Sequence, residues 1–462
     1  MKATFITIPH IFRFRILITS VLVLVTSIAA FAAVEPSGAP TVLLISVDGL
    51  KPEAVLHAQE YGLALPNLVR LTEDGMYSSG VRGVLPTVTY PSHTTLITGV
   101  SPAKHGISAN TTFDPYNKNE KGWYWYAEDI KVPTLWDAAH TAGLTTASVY
   151  WPVSVGAHID YNLPQIWRTG TEDDLKLQRA LSTPGLEQEL VAELGRYPGG
   201  MEETVESDEI RTRFAVRIME KKHPAFMTVY LTGLDTEQHA SGPFSDKSNA
   251  VLQRLDKLVG QLRAAAERVS HDRAYVCVVS DHGFASVQHD VNLYEAFLDA
   301  GLFSTNRAQK ITSWKAMPWP SGGSAAVVLA DPSDHVTAAE VEALLKHLAN
   351  NPTNGIDRVL TREELQSAGG FPEAAFFVSF KIGYELGYTF TPPLISAPTY
   401  GGMHGYLPGN SEMSSSFFLV GPGVTRGKSV GEIDMRQIAP TLAHILRVSL
   451  PEAESEPLLI HN

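Results

Sequence analysis

Three apolar runs of strand length constrain this chain most: Thr41–Val47 (TVLLISV), Phe226–Leu231 (FMTVYL) and Tyr275–Val279 (YVCVV). Each is apolar at nearly every position rather than at alternate ones. That pattern marks strands buried on both faces, as in a parallel sheet sandwiched between helices. Thr146–Trp151, stopped by Pro152, Ala325–Leu329 and Phe417–Val420 read as further strands. Between them lie helical patterns. Residues 134–143 begin at Thr134 and end at Gly143. Residues 247–269 carry Val251, Leu252, Leu255, Leu258, Val259 and Leu262 on one face. Gln437–Leu446 has Pro440 in its first turn. The alternation predicts an α/β fold with a mostly parallel central sheet. Residues 160–215 are polar and mixed and read as a surface excursion.

The chain's 462 residues suffice for one large domain with insertions or for two or three ordinary ones. Its formal charge of −13 argues against a nucleic-acid scaffold or an anionic membrane as partner. It leaves room for a small anionic substrate held by metals. Residues 1–33 read as an export signal: Lys2, Arg13 and Arg15 precede the apolar stretch Ile16–Ala29, and Ala30-Phe31-Ala32 offers a cleavage site. An uncleaved anchor is the alternative. Residues 34–40 read as a linker. The single cysteine, Cys277, rules out an internal disulfide and reads as a core residue. Export without disulfides suits a periplasmic or secreted protein.

The three main strands lead into aspartates: Asp48, Asp235 and Asp281. A lone aspartate there is usually a turn or cap residue. In open α/β sheets, however, ligands bind outside the carboxyl ends of the strands. Two of these aspartates come with histidines, as Asp235 with His239 and Asp281 with His282, and His404 stands among glycines in GGMHGY. Three carboxylates and three imidazoles suit zinc, and six ligands suffice for two ions. Two metals about 4 Å apart can clamp the attacking and leaving oxygens of a phosphoryl displacement. The stretch 85–110, LPTVTYPSHTTLITGVSPAKHGISAN, supplies a nucleophile candidate. Thr89 opens a helix with Pro91 in its first turn, and the amides of Tyr90 and Ser92 are expected to face an anion. Thr89 reads either as the nucleophile or only as an N-cap.

VDG at 47–49, TYPSHTTLITG at 89–99, HGISANT at 105–111, DTEQHASGP at 235–243, SDHG at 280–283 and MHGY at 403–406 occur in one order. In that order they resemble the nucleotide pyrophosphatase/phosphodiesterase family of the alkaline phosphatase superfamily. The resemblance implies an alkaline-phosphatase-like domain over 41–450 with helices on both sheet faces. An inserted subdomain near 305–395 would lie by the site mouth, and 451–462 would be a tail. It implies Thr89 as nucleophile, one Zn2+ on Asp48, Asp281 and His282, and a second on Asp235, His239 and His404. Asn110 would donate to a phosphate oxygen, and Tyr90 would stand against a base. No catalytic role falls to His93 or His105.

The chain departs from the family in two respects. Animal members are rich in disulfides, and Tyr197 sits in a poorly matching context for a second base-stacking tyrosine. The run Trp123-Tyr124-Trp125-Tyr126 reads as packing, with a pocket wall as the alternative.

The expected function is an exported two-zinc phosphodiesterase or nucleotide pyrophosphatase working through a phospho-threonine. Its partner would be a small phosphodiester or nucleotide, with no membrane contact beyond the export signal. The alternatives are a phosphomonoesterase of the same superfamily and a silent periplasmic binding protein. Related monoesterases with a threonine nucleophile place a Lys and an Arg where this chain has Tyr150-Trp151-Pro152-Val153-Ser154.

Overall fold

The computed structural model describes residues 40–119 and 122–461. The expected export signal, and all of the linker but Pro40, lie outside the described residues. An eight-stranded sheet forms the centre. Its order is Lys428–Ser429, Met76–Tyr77, Phe417–Val420, Ala274–Val279, Thr41–Val47, Phe226–Leu231, Thr146–Val149 and Tyr161–Leu163. The last five run parallel. Phe417–Val420 is antiparallel to both of its neighbours. Every residue of Thr41–Val47 after the first is buried, so both faces of this strand are covered. One helix group, Pro66–Asp74, Val205–Lys222 and Asp246–Ser270, packs together, as does a second, Thr89–Thr98, Leu135–Thr141 and Ile438–Leu446.

Local sequence explains where these helices start and what they bury. Ser245 caps Asp246–Ser270 by accepting from the Ser248 N–H, and the helix buries Leu252, Leu255, Leu258, Val259 and Leu262. Thr134 and Asp137 form a reciprocal capping box at the start of Leu135–Thr141. Gly143, just beyond the last turn, has a φ of 72° that a Cβ would penalise.

Two expectations are corrected. Residues 160–215 are more than a surface excursion. They contribute the edge strand Tyr161–Leu163 and the helix Val205–Lys222, which buries Phe214, Ala215, Ile218 and Met219. Its polar composition hid this, because only one stripe of a sheet-covering helix needs to be apolar. Ser324–Leu329 is a strand, but it lies outside the central sheet. It joins Ala316–Pro320, Phe376–Phe380 and Ile356–Thr361 in a separate antiparallel sheet. An apolar run reports burial and does not name its pairing partner.

Residues after 450 pack on the body. Glu454 accepts from the Ser101 N–H at 3.0 Å, and Ile460 is buried. Cys277 is fully buried, and burial raises its thiol pKa. Among the described residues no helix is long and apolar enough to cross a membrane.

Candidate active site

The carboxyl ends of the central strands bring the candidate residues together. Asp48 follows Thr41–Val47, and Asp281 and His282 follow Ala274–Val279. Asp235 and His239 sit one turn apart on the helix Gly233–Ser241, which follows Phe226–Leu231. The short strand Gly402–Met403 delivers His404. One ligand atom each from Asp48, Asp281 and His282 lies within 4.8 Å of the others, and Asp235, His282 and His404 form a second such group. The Asp235 Oδ1 is 3.5 Å from His239 Nε2 and 3.7 Å from His404 Nε2. His282 Nε2 is 3.4 Å from Asp48 Oδ1 and 3.1 Å from Asp281 Oδ2, so this ring stands between the two groups.

The donor set fits two cations. Asp48 Oδ1, Asp235 Oδ1 and Asp281 Oδ2 are buried and have no hydrogen-bond partner among the described residues. Buried carboxylate oxygens are costly unless something compensates them. Each histidine directs Nδ1 at a backbone carbonyl: His239 at Gly402, His282 at Gly283 and His404 at Thr87, at 3.0, 3.1 and 3.3 Å. An N–H donated there leaves the Nε2 lone pair free for a metal. Burial holds all three rings below their ordinary pKa, His239 at about 4, so they stay neutral. Burial pushes the carboxyls of Asp235 and Asp281 up to about 7 and raises Asp48, and carboxylate repulsion adds to the rise at Asp48 and Asp281. A bound cation reverses that pressure. Supporting bonds fix the carboxylates. The Gly49 N–H donates to Asp281 Oδ1 at 3.2 Å, and the Tyr230 hydroxyl donates to Asp48 Oδ2. His93 Nδ1 lies 2.8 Å from the Thr89 carbonyl and 3.5 Å from Asp281 Oδ2, so this ring sits between the threonine turn and a ligand.

Thr89 is the first residue of the helix Thr89–Thr98. The N-cap is Val88, and no side chain caps this helix. The N-cap alternative for Thr89 therefore falls. Its Oγ1 lies 3.4 Å from His282 Nε2. The amides differ from expectation. The Ser92 N–H donates to the Val88 carbonyl at 3.2 Å, and the Tyr90 N–H donates to Asn110 Oδ1 at 2.9 Å. Neither is free for an anion, because a helical Ser92 already reaches the N-cap carbonyl. The Tyr90 bond instead orients Asn110: with Oδ1 engaged, the amide Nδ2 is left to donate into the cavity that Asn110 lines.

That cavity, of about 470 Å³, holds Thr89, Asp48, Asp235, His239 and His404 on its walls. Tyr90 also borders it, but its side chain is fully buried. The ring packs against Trp123 and Trp125, and the hydroxyl donates to Gln165 Oε1 at 2.7 Å. A ring enclosed this way has no open face for a base. The half-buried Trp123 and the exposed Tyr388 and Tyr400 offer aromatic surface in its place. Tyr197 packs on Phe214 and does not line the cavity. Pro320, Ser321 and Gly322 border the cavity from the antiparallel subdomain. Sequence reading missed Gln165, Glu203, Tyr388 and Tyr400. No local motif marks them, since loops far apart in the chain bring them in. A larger groove of about 1250 Å³, between Arg82 and Lys381, holds none of these ligands.

A buried ion pair sets the Asp235 helix. Asp208 Oδ2 accepts from the N–H groups of Thr232 and Gly233 at 3.0 and 2.8 Å, and Oδ1 takes Arg211 at 3.2 Å. Arg211 and Asp208 are both fully buried. Arg211→Met should therefore destabilise the fold by about 3–5 kcal/mol in denaturant titration, because it strands a buried carboxylate. A loss below about 1 kcal/mol would refute this account.

The profile of the family described as type I phosphodiesterase / nucleotide pyrophosphatase matches residues 42–407. Ectonucleotide pyrophosphatase/phosphodiesterase family member 3 of Rattus norvegicus is 30% identical over 261 residues, 54% of this chain and 26% of that protein. Family member 1 of Homo sapiens is 29% identical over 253 residues, 53% of this chain and 23% of that protein. The chain thus spans about a quarter of the length of these curated relatives. A Schizosaccharomyces pombe protein named as an uncharacterized pyrophosphatase/phosphodiesterase is 23% identical over 88% of this chain and 76% of its own. Human ectonucleotide pyrophosphatase/phosphodiesterase 5 shares the fold, with a TM-score of 0.63 at 20% identity over 91% of this chain and 96% of that one. The fold is thus alkaline-phosphatase-like, as expected. With its profile match over most of the described residues, the chain belongs to the type I phosphodiesterase / nucleotide pyrophosphatase family.

Proposed function

We propose that this protein is an exported phosphodiesterase or nucleotide pyrophosphatase that uses two zinc ions and a phospho-threonine on Thr89. The observation that carries the reading is the convergence of three unpartnered carboxylate oxygens with the Nε2 atoms of His239, His282 and His404, and the Thr89 hydroxyl set against His282. Zinc held by Asp48, Asp281 and His282, and by Asp235, His239 and His404, would supply Lewis acidity that lowers the pKa of a bound hydroxyl and offsets phosphate charge. The rest falls to the chain. Thr89 Oγ1 forms a bond to phosphorus as the bond from phosphorus to the leaving oxygen breaks. Water then attacks phosphorus, the Thr89 oxygen leaves, and the threonine hydroxyl is restored. The Asn110 Nδ2 donates to a phosphate oxygen whose charge grows in the transition state. A silent binding protein would need no such hydroxyl.

The cavity favours a diester over a monoester. A monoester dianion needs cationic partners for its free oxygens, and no Lys or Arg lines the cavity among the described residues. The native protein should show a higher kcat/KM for the p-nitrophenyl ester of thymidine 5′-monophosphate than for p-nitrophenyl phosphate. Asn110→Ala should lower diester turnover by roughly a hundredfold, the scale of one lost transition-state donor. A monoester preference in the native protein would overturn the assignment in favour of a phosphomonoesterase. Murine ectonucleotide pyrophosphatase/phosphodiesterase 5, in a variant with one threonine replaced by alanine, is described as inactive and in complex with AMP. That description supports a nucleotide as substrate class here. Export is tested by N-terminal sequencing, which should place the mature start near residue 33.

A further inference from the structure

We propose that Glu203 is a charge-selecting residue of this cavity, disfavouring substrates that carry extra phosphate groups beyond the scissile one. The inference rests on the phosphodiesterase reading and narrows its substrate class. Glu203 lines the same cavity as Thr89, Asp235 and Trp123, yet the proposed chemistry gives it no task. Its Oε1 is engaged: Gln165 Nε2 donates to it at 2.9 Å, and the Tyr150 hydroxyl lies 3.3 Å away. Gln165 is itself held by the Tyr90 hydroxyl. The carboxylate is thus tied at Oε1 into a chain of hydrogen bonds that starts from the buried Tyr90 hydroxyl. Its Oε2 has no hydrogen-bond donor among the described residues.

The surrounding charges leave Glu203 uncompensated on the cavity side. The cation that acts on Glu203 is Arg211, which lies beneath the Tyr150 ring with its guanidinium 3.5 Å from the ring centroid. Arg211 is fully buried and paired with Asp208; it eases the Glu203 carboxylate from the protein side, but burial of that carboxylate outweighs it. None of the cavity-lining residues among those described is Lys or Arg. A diester presents one negative charge, which two bound divalent cations would take up. A nucleoside triphosphate brings several more on its β- and γ-phosphates, and in this cavity they meet a carboxylate. One unit charge at a separation near 8 Å, at the effective dielectric of a protein surface, changes binding by tenfold or more. Burial pushes the Glu203 carboxyl up to about 7, so it is ionised at pH 9.

The test compares two substrates with one nucleoside. The full-length protein and its Glu203→Gln variant hydrolyse the p-nitrophenyl ester of thymidine 5′-monophosphate and thymidine 5′-triphosphate at pH 9, without added Mg2+. The ratio of kcat/KM for the triphosphate to that for the ester should rise about tenfold in Glu203→Gln, chiefly through KM. In the native protein the same ratio should also rise when salt goes from about 0.05 M to about 0.5 M, since screening weakens repulsion. The salt response should be smaller in the variant. A merely structural role would shift both substrates together and leave the salt response unchanged. An unchanged ratio in a folded variant, or a native ratio indifferent to salt, overturns the inference. If the native protein turns over neither substrate, the phosphodiesterase reading fails instead.

Discussion

Thr89→Ala should abolish diester hydrolysis by several orders of magnitude while leaving the fold and the bound metal in place. The size of the effect follows from the role: among the hydroxyls of the helix Thr89–Thr98, Thr89 Oγ1 is the one that contacts a proposed metal ligand, 3.4 Å from His282 Nε2. Covalent catalysis has no substitute group once the nucleophile is gone. The fold should tolerate the change, because Val88 is the N-cap and no side-chain cap bond is lost. Thr89→Ser keeps the hydroxyl and should keep substantial turnover. Acid-quenching the native protein during turnover should trap phosphate on the peptide that contains Thr89, and mass spectrometry should find none there in Thr89→Ala. Native-rate hydrolysis by Thr89→Ala would remove the threonine from the mechanism.

Much of this site could be read from the sequence because its residues sit at points the backbone fixes. An apolar strand followed by Asp48, or by Asp281 and His282, must deliver those side chains to the carboxyl edge of the sheet, and the structure places them there. Asp235 and His239, four apart on one helix, meet on one face. What could not be read depends on contacts between distant segments. Tyr90 looked available as an aromatic wall. Its burial is decided by Gln165, Trp123 and Trp125, whose arrival beside it leaves no periodic trace. The amides of Tyr90 and Ser92 looked free at a helix start. One is taken by Asn110, twenty residues on, and that bond explains how the Asn110 amide is aimed. The strand Ser324–Leu329 showed its burial but not its sheet, since pairing is a property of two segments.

Metal content should separate the two ligand groups by single substitutions. The purified native protein should carry about two zinc ions per chain, and chelation should abolish turnover. It should also lower the thermal midpoint, because a cation that binds only the folded state stabilises it by mass action. Without cations the fold must hold three buried carboxyls with unpartnered oxygens, which adds to the loss. His239→Ala removes a ring whose Nε2 reaches only Asp235 among the metal-group carboxylates, at 3.5 Å. It should release about one metal equivalent and leave the other. His282→Ala removes a ring that lies within 4.8 Å of ligand atoms in both groups. It should weaken both sites, so that elemental analysis finds well under one equivalent after dialysis. The two rings carry the same chemistry and differ only in where the strand and the helix put them. If His239→Ala and His282→Ala lose metal equally, His282 does not stand between the two sites. Full activity in a chelated, metal-free preparation would remove the metals from the mechanism altogether.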